Sequence, residues 1–202
     1  VIVLAPAALG FAKDLVYSAY YRSKQFVLVF EGEDPVDSNF YHSIGVLSKN
    51  KRFFGGRSLE LSSPIAIEGG FLSRYAIEVP RDGDYDIFVA GTPPGPVGRG
   101  SKWYSPYSIS IDDETPALLT EAGLKREWPH LHEFSYAPGG YYFTRVATRR
   151  LAQGRHTVTF RINDRRSHDS RFTFYLDALL VAPRDFEPKS HVGRIPRALF
   201  GD

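Results

Sequence analysis

The chain has 202 residues, 25 basic and 23 acidic, with a formal net charge of +2, a balance that does not call for nucleic acid as a partner. Its length suffices for one sizeable domain with its own core, and 43% hydrophobic and 24% charged residues are ordinary for a globular chain. It contains no Cys, which excludes disulfides, thiolate metal sites and a Cys nucleophile.

The first eleven residues are apolar, but Lys13 and Asp14 interrupt them, and the run is too short to cross a membrane as a helix. No Met is present even at position 1, so the chain is expected to be a processed product or a piece of a longer polypeptide. Ala8, Phe11, Ala12, Leu15, Val16, Ala19 and Tyr20 recur at helical spacing, and Pro6 suits a helix start. The pattern predicts a short amphipathic helix that docks on the domain or on a neighbour.

From residue 25 the period changes to two. Residues 26–30 form an apolar run broken by Glu31-Gly32-Glu33-Asp34-Pro35. Residues 58–61 read as a short strand after the Gly55-Gly56 turn. In residues 74–79, Tyr75, Ile77 and Val79 alternate with Ala76 and Glu78, and Pro80 ends this half-buried strand. Arg81-Asp82-Gly83-Asp84 is a turn signal, so residues 74–90 are expected to form a hairpin. Residues 91–100 hold three Pro and four Gly and read as a loop. Residues 107–111 form another alternating strand, closed by Asp112-Asp113. Residues 123–140 are mixed and read as a long loop with short elements. Residues 141–149 are a strand, residues 152–154 a turn, and residues 155–162 alternate, with His156, Val158, Phe160 and Ile162 on one face. Residues 163–170 are a polar loop. Residues 172–181 are nearly continuously apolar, as expected of a central strand buried on both sides. Pro183, Pro188 and Pro196 mark an extended tail or linker.

About eight or nine strands with little helix predict an all-β fold, a two-sheet antiparallel β-sandwich or jelly roll. The expected organisation is an N-terminal helical extension over residues 1–25, the sandwich over 26–183, and a linker or tail over 184–202. Constellations that look catalytic are weak. His130 and His132 lie on one face if extended, a metal pair lacking an identifiable third ligand. Asp112-Asp113-Glu114 reads as a turn rather than an acid/base site. No Gly-x-Ser-x-Gly elbow and no phosphate loop occur. The chain is therefore expected not to be an enzyme, although a catalytic domain elsewhere in a longer polypeptide fits.

The order of segments resembles the galactose-binding-like jelly rolls of carbohydrate-binding module families 6 and 35. The matching pieces are Phe30-Glu31-Gly32-Glu33-Asp34, Gly55-Gly56-Arg57-Ser58-Leu59-Glu60-Leu61 and Arg74-Tyr75-Ala76-Ile77-Glu78-Val79-Pro80. They continue with Gly83-Asp84-Tyr85-Asp86-Ile87-Phe88-Val89, Ile109-Ser110-Ile111-Asp112, Leu151-Ala152-Gln153-Gly154-Arg155-His156-Thr157-Val158 and Leu176-Asp177-Ala178-Leu179-Leu180-Val181. Residues 1–25, 107–141 and the tail do not follow the pattern closely. The resemblance implies a structural calcium held by an acidic pair on the first strand and an Asp on the last, here Glu31, Glu33 and Asp177. Calcium takes hard oxygen ligands, and two carboxylates two residues apart on an extended chain point to the same side. The alternative for the pair is a solvated acidic turn.

The resemblance also implies a ligand site at the loop end of the sandwich, built from an aromatic pair and an Asn of the loop before the last strand. Sugars present flat C–H faces with hydroxyls at the rim, so rings to stack on and a few polar groups suit them. The candidates are Trp103, Tyr104, Trp128, Tyr141 and Tyr142, with Asn163; the alternative for each ring is packing. Arg145, Arg149, Arg150, Arg165, Arg166 and Arg171 either read acidic groups or are scattered solubility charge. The implied function is non-catalytic polysaccharide or oligosaccharide binding outside the cell or at its surface, accessory to a glycan-active protein. The alternative is a structural subunit of an extracellular filament or surface layer, assembling with copies of itself or neighbouring domains through its N-terminal segment.

Overall fold

The computed structural model describes residues 26–40, 58–92, 104–120, 123–124, 126, 143–184 and 186. The expected N-terminal helix, the loop over 93–103, most of the mixed segment over 123–140 and most of the tail lie outside them. Ten strands are present among the described residues: β1 (Leu28–Glu31), β2 (Asp37–Ser38), β3 (Leu59–Ser63), β4 (Phe71–Val79), β5 (Gly83–Gly91), β6 (Ser108–Ile111), β7 (Ala117–Leu118), β8 (Phe143–Leu151), β9 (Gly154–Ile162) and β10 (Phe172–Pro183).

They form two antiparallel five-stranded sheets. One runs β1-β10-β5-β8, with β3 also paired to β10; the other runs β2-β4-β9-β6-β7. The expected sandwich is therefore the fold. Period two explains the layering: Phe71, Tyr75, Ile77 and Val79 of β4 and Val158, Phe160 and Ile162 of β9 all point into one shared core. From the facing sheet come Ile87 and Val89 of β5 and Phe174, Leu176, Leu179 and Val181 of β10. Aromatic edges fill the layer, with Tyr75 meeting Phe160 at 5.9 Å and Tyr107 meeting Phe174 at 5.0 Å between ring centroids. Burial pushes the phenols of Tyr75 and Tyr107 well above their ordinary pKa, so both stay neutral.

The expected hairpin over residues 74–90 is not formed. β4 pairs with β2 and β9 in one sheet, while β5 pairs with β10 and β8 in the other. The reason is the number of faces each strand must bury. β4 alternates buried and partly exposed residues along its length, as suits a sheet covered on one side. β5 has six consecutive buried residues, Tyr85 to Ala90, and so takes a place beside β10, the other strand buried on both faces. The corner between them carries Pro80, which cannot continue a ladder, and the Tyr85 hydroxyl closes it by donating to the Arg81 carbonyl at 2.9 Å.

Candidate ligand and cation sites

The acidic triplet Glu31-Gly32-Glu33 lies where the edge of β10 changes partner. β1 covers β10 up to the pair Glu31–Ala178, and β3 takes over at the pair Leu59–Leu176. Asp177 falls in the gap, and on its other side the register of β10 against β5 slips between Leu176 and Ala178. Gly32 bridges the gap: its N–H donates to the Asp177 carbonyl at 2.8 Å, and its own carbonyl accepts from the Tyr75 hydroxyl of the opposite sheet. A Cβ at Gly32 would sit 1.9 Å from the Leu176 carbonyl oxygen, so only glycine allows this approach.

The consequence is electrostatic. Asp177 is fully buried, and Oε2 of Glu31, Oε2 of Glu33 and Oδ2 of Asp177 are all out of solvent contact. Register places Glu31 beside Ala178, the next residue after Asp177. Three carboxylates with buried oxygens near one strand junction are hard-oxygen donors of the kind calcium takes. Among the described residues no three His, Asp or Glu side chains stand close enough together to form a complete cage.

Of the six residues expected to bind ligand, Tyr104 and Asn163 are described; Trp103, Trp128, Tyr141 and Tyr142 lie outside the described residues. Tyr104 is half-buried and meets Tyr175 of β10 edge to face, with ring centroids 5.4 Å apart. Asn163 is exposed at the end of β9, with its side-chain oxygen against Gly70, where a Cβ would come within 2.2 Å of it. The loop that Asn163 opens runs to Arg171. Arg166, three residues on from Asn163, donates through Nε to Asp169 at 2.6 Å. Asp169 is held at a pKa of about 2 by this guanidinium, with the Arg171 N–H adding to the effect. Arg165 lies over the Phe172 ring at 4.8 Å and donates to the Pro64 carbonyl at 2.9 Å. Tyr104 thus packs on Tyr175 of β10, and Asn163, Arg165 and Arg166 lie along the loop that leads into β10.

Tyr175 was legible only as part of an apolar run. The alternation Phe172, Phe174, Leu176 inward and Thr173, Tyr175 outward is the signal that turns it toward Tyr104.

The other Arg and carboxylate constellations serve the fold. Asp112 accepts from the Thr157 N–H at 2.8 Å and lies 2.7 Å from Nδ1 of His156, while Arg149 pairs with Glu114 at 3.0 Å. His156 is raised above its ordinary pKa chiefly by the Asp112 hydrogen bond. Arg145 reaches the buried carboxylate of Asp86 at 3.0 Å, and Arg171 donates to the Ser62 carbonyl. The pair His130 and His132 lies outside the described residues.

No family model matches the chain, and a search of curated proteins finds none that matches. Among solved structures, the chain is similar to a family 35 carbohydrate binding module from an environmental isolate, at 11% identity over 80% of this chain and 97% of that one, TM-score 0.49. It is similar to a family 35 carbohydrate binding module from Clostridium thermocellum at 12% identity, over 78% of this chain and 98% of that one, TM-score 0.47. It is also similar to a 4-O-methyl-α-glucuronidase with specificity for decorated arabinogalactans, at 11% identity, TM-score 0.49; 81% of this chain is covered, but the chain spans only 18% of that enzyme.

Proposed function

We propose that this chain is a non-catalytic carbohydrate-binding module, stabilised by calcium, that works at the cell surface or outside the cell as the accessory part of a glycan-active protein. The observation that carries the reading is the Tyr104–Tyr175 ring pair, with Asn163, Arg165 and Arg166 on the loop that leads into β10. Rings offer a C–H stacking face and an exposed amide a hydroxyl partner, which is the chemistry a sugar ring needs. Trp103, next to Tyr104 in sequence, extends the platform in this reading, with Trp128, Tyr141 and Tyr142 as further rings. Asp112 and Glu114 support the non-catalytic assignment, because their carboxylates tie strands together rather than face a shared opening.

In this reading Glu31, Glu33 and Asp177 would supply part of the oxygen ligands of a calcium ion, which would tie the first strand to the last. Its role is structural, so it supplies no chemistry to the ligand. Two arms test the proposal. The intact chain, applied with calcium to a broad glycan array, is expected to bind at least one glycan class reproducibly; silence across the array overturns the ligand. Thermal unfolding in calcium against chelator is expected to show a higher Tm with calcium; identical curves overturn the cation while leaving the ligand arm standing.

A further inference from the structure

We propose that His156 is a proton-gated latch on the corners that join the two sheets, holding the β8–β9 corner only while both ring nitrogens carry protons. The sheets are connected by two chain corners that run side by side. β8 ends at Leu151, paired with Gly83 of β5, and β9 begins at Gly154, paired with Val79 of β4 in the other sheet. The β8–β9 corner therefore lies along the β4–β5 corner, and the Gln153 N–H ties the two by donating to Oδ1 of Asp82 at 2.6 Å. His156 stands two residues before Val158 of the main core, so its ring lies on the core-facing side of β9, with 14% of the side chain exposed.

The ring faces an oxygen at each nitrogen. Nδ1 lies 2.7 Å from Oδ2 of Asp112, and Nε2 lies 2.9 Å from the Ala152 carbonyl oxygen. A carbonyl and an ionised carboxylate only accept, so a neutral imidazole, with one N–H, can make one of these bonds and the imidazolium makes both. The carboxylate is the stronger acceptor, so the proton that remains after deprotonation stays at Nδ1 and Ala152 is released. Asp112 is the fixed end of the latch. Its N–H donates to the Thr157 carbonyl and its Oδ1 accepts from the Thr157 N–H, both at 2.8 Å, and these bonds hold it in a left-handed conformation with φ of 50°. The surrounding charge is mixed. β4 contributes Glu78, which lies across from Arg155 and favours the cation. The β6–β7 turn contributes Asp112, Asp113 and Glu114, the last paired with Arg149 of β8, where Arg150 follows. The β4–β5 corner contributes Arg81, over the Phe26 ring, and Asp82. Apart from His156 these are carboxylates and guanidinium groups, which keep their charge from about pH 6 to about pH 9. The Asp112 hydrogen bond outweighs desolvation and raises the ring's pKa above 6.5, so the latch is closed below that range and opens as pH rises through the raised value.

Nitrogen NMR of the imidazole rings and amide hydrogen exchange, followed on the intact chain across the titration, test the latch. Below the midpoint both His156 nitrogens are expected to be protonated, and above it Nδ1 alone. The protection of the Gln153 amide, corrected for the intrinsic pH dependence of exchange, is expected to fall at least about threefold through the same midpoint, while that of Thr157 holds. Asp112→Asn keeps an oxygen for the Thr157 N–H but removes the charge. It is expected to bring the His156 midpoint to the ordinary value or below and to flatten the response of Gln153. A ring that carries one proton throughout, or Gln153 protection that ignores the titration, overturns the latch; so does a variant with the parent's pH dependence. The parent chain decides by itself if the variant fails to fold.

Discussion

Gly32 carries more of this structure than its size suggests. Its N–H and C=O link the first strand to the last strand and to the opposite sheet, and its missing side chain lets the Leu176 carbonyl approach. Gly32→Ala is expected to destabilise by at least about 1–3 kcal/mol, the usual range for overpacking, because the obstacle is backbone and cannot rotate away. Chemical denaturation reads this directly. Asp177 beside it is a test of the cation. Asp177→Asn is expected to abolish any calcium-dependent rise in Tm. A parent and variant that respond equally to calcium would place the ion elsewhere.

His156 gives the pH dependence. Its folded pKa is raised above 6.5 by Asp112, so its stabilising contribution is fully present below the unfolded value and is lost as pH rises through the folded one. Stability measured by urea unfolding is expected to fall over the range from about pH 6.5 upward, and His156→Gln should flatten that part of the profile. An unchanged profile in the variant contradicts the assignment.

At the scale of elements, the sequence told strand from loop better than it told partner from partner. The alternation of Tyr75, Ile77 and Val79 and the continuous run in β10 placed both strands correctly. The turn signal at Asp82-Gly83 suggested a hairpin because turn chemistry is local, whereas sheet membership depends on how many faces are covered. The run Tyr85–Ala90 of β5, apolar but for Asp86, held that information. The two-residue strands β2 and β7 were not legible, since two residues show no period. The acidic triplet was legible as a candidate cation site. That Gly32 spans a change of strand partner was not, because it depends on a register slip 145 residues away at Asp177. At the loop end, residue type marked Tyr104 and Asn163 as candidates, and Tyr175 was hidden in the apolar strand it belongs to.

The buried face of β5 supplies the prediction at this scale. Asp86 accepts from Arg145 and Thr148, tying β5 to β8. Asp86→Ala is expected to lower stability by about 2 kcal/mol, discounted from a fully buried pair because Arg145 keeps about a third of its side chain in solvent. Thermal or chemical unfolding checks it, and a neutral effect would mean that the pair breaks even against its desolvation.

The whole molecule divides its work between two places. The strand junction around Gly32 and the double-sided burial of β10 belong to the scaffold, and the loop between β9 and β10 carries an exposed amide and fixed positive charge. Among the described residues no helix is long and apolar enough to cross a membrane. In the proposed function the loop end meets a glycan and the scaffold holds it still, so preorganisation limits the ordering cost of binding. Tyr104→Ala is then expected to weaken glycan binding about tenfold or more while leaving the unfolding midpoint near that of the parent, since Tyr104 lies outside the main core.

Affinity electrophoresis of the intact chain, through native gels cast with a panel of neutral and acidic polysaccharides in calcium, tests the central claim most directly. Retardation by at least one polysaccharide, relieved by Tyr104→Ala, is the result expected of a carbohydrate-binding module. Unretarded migration through every gel would contradict it.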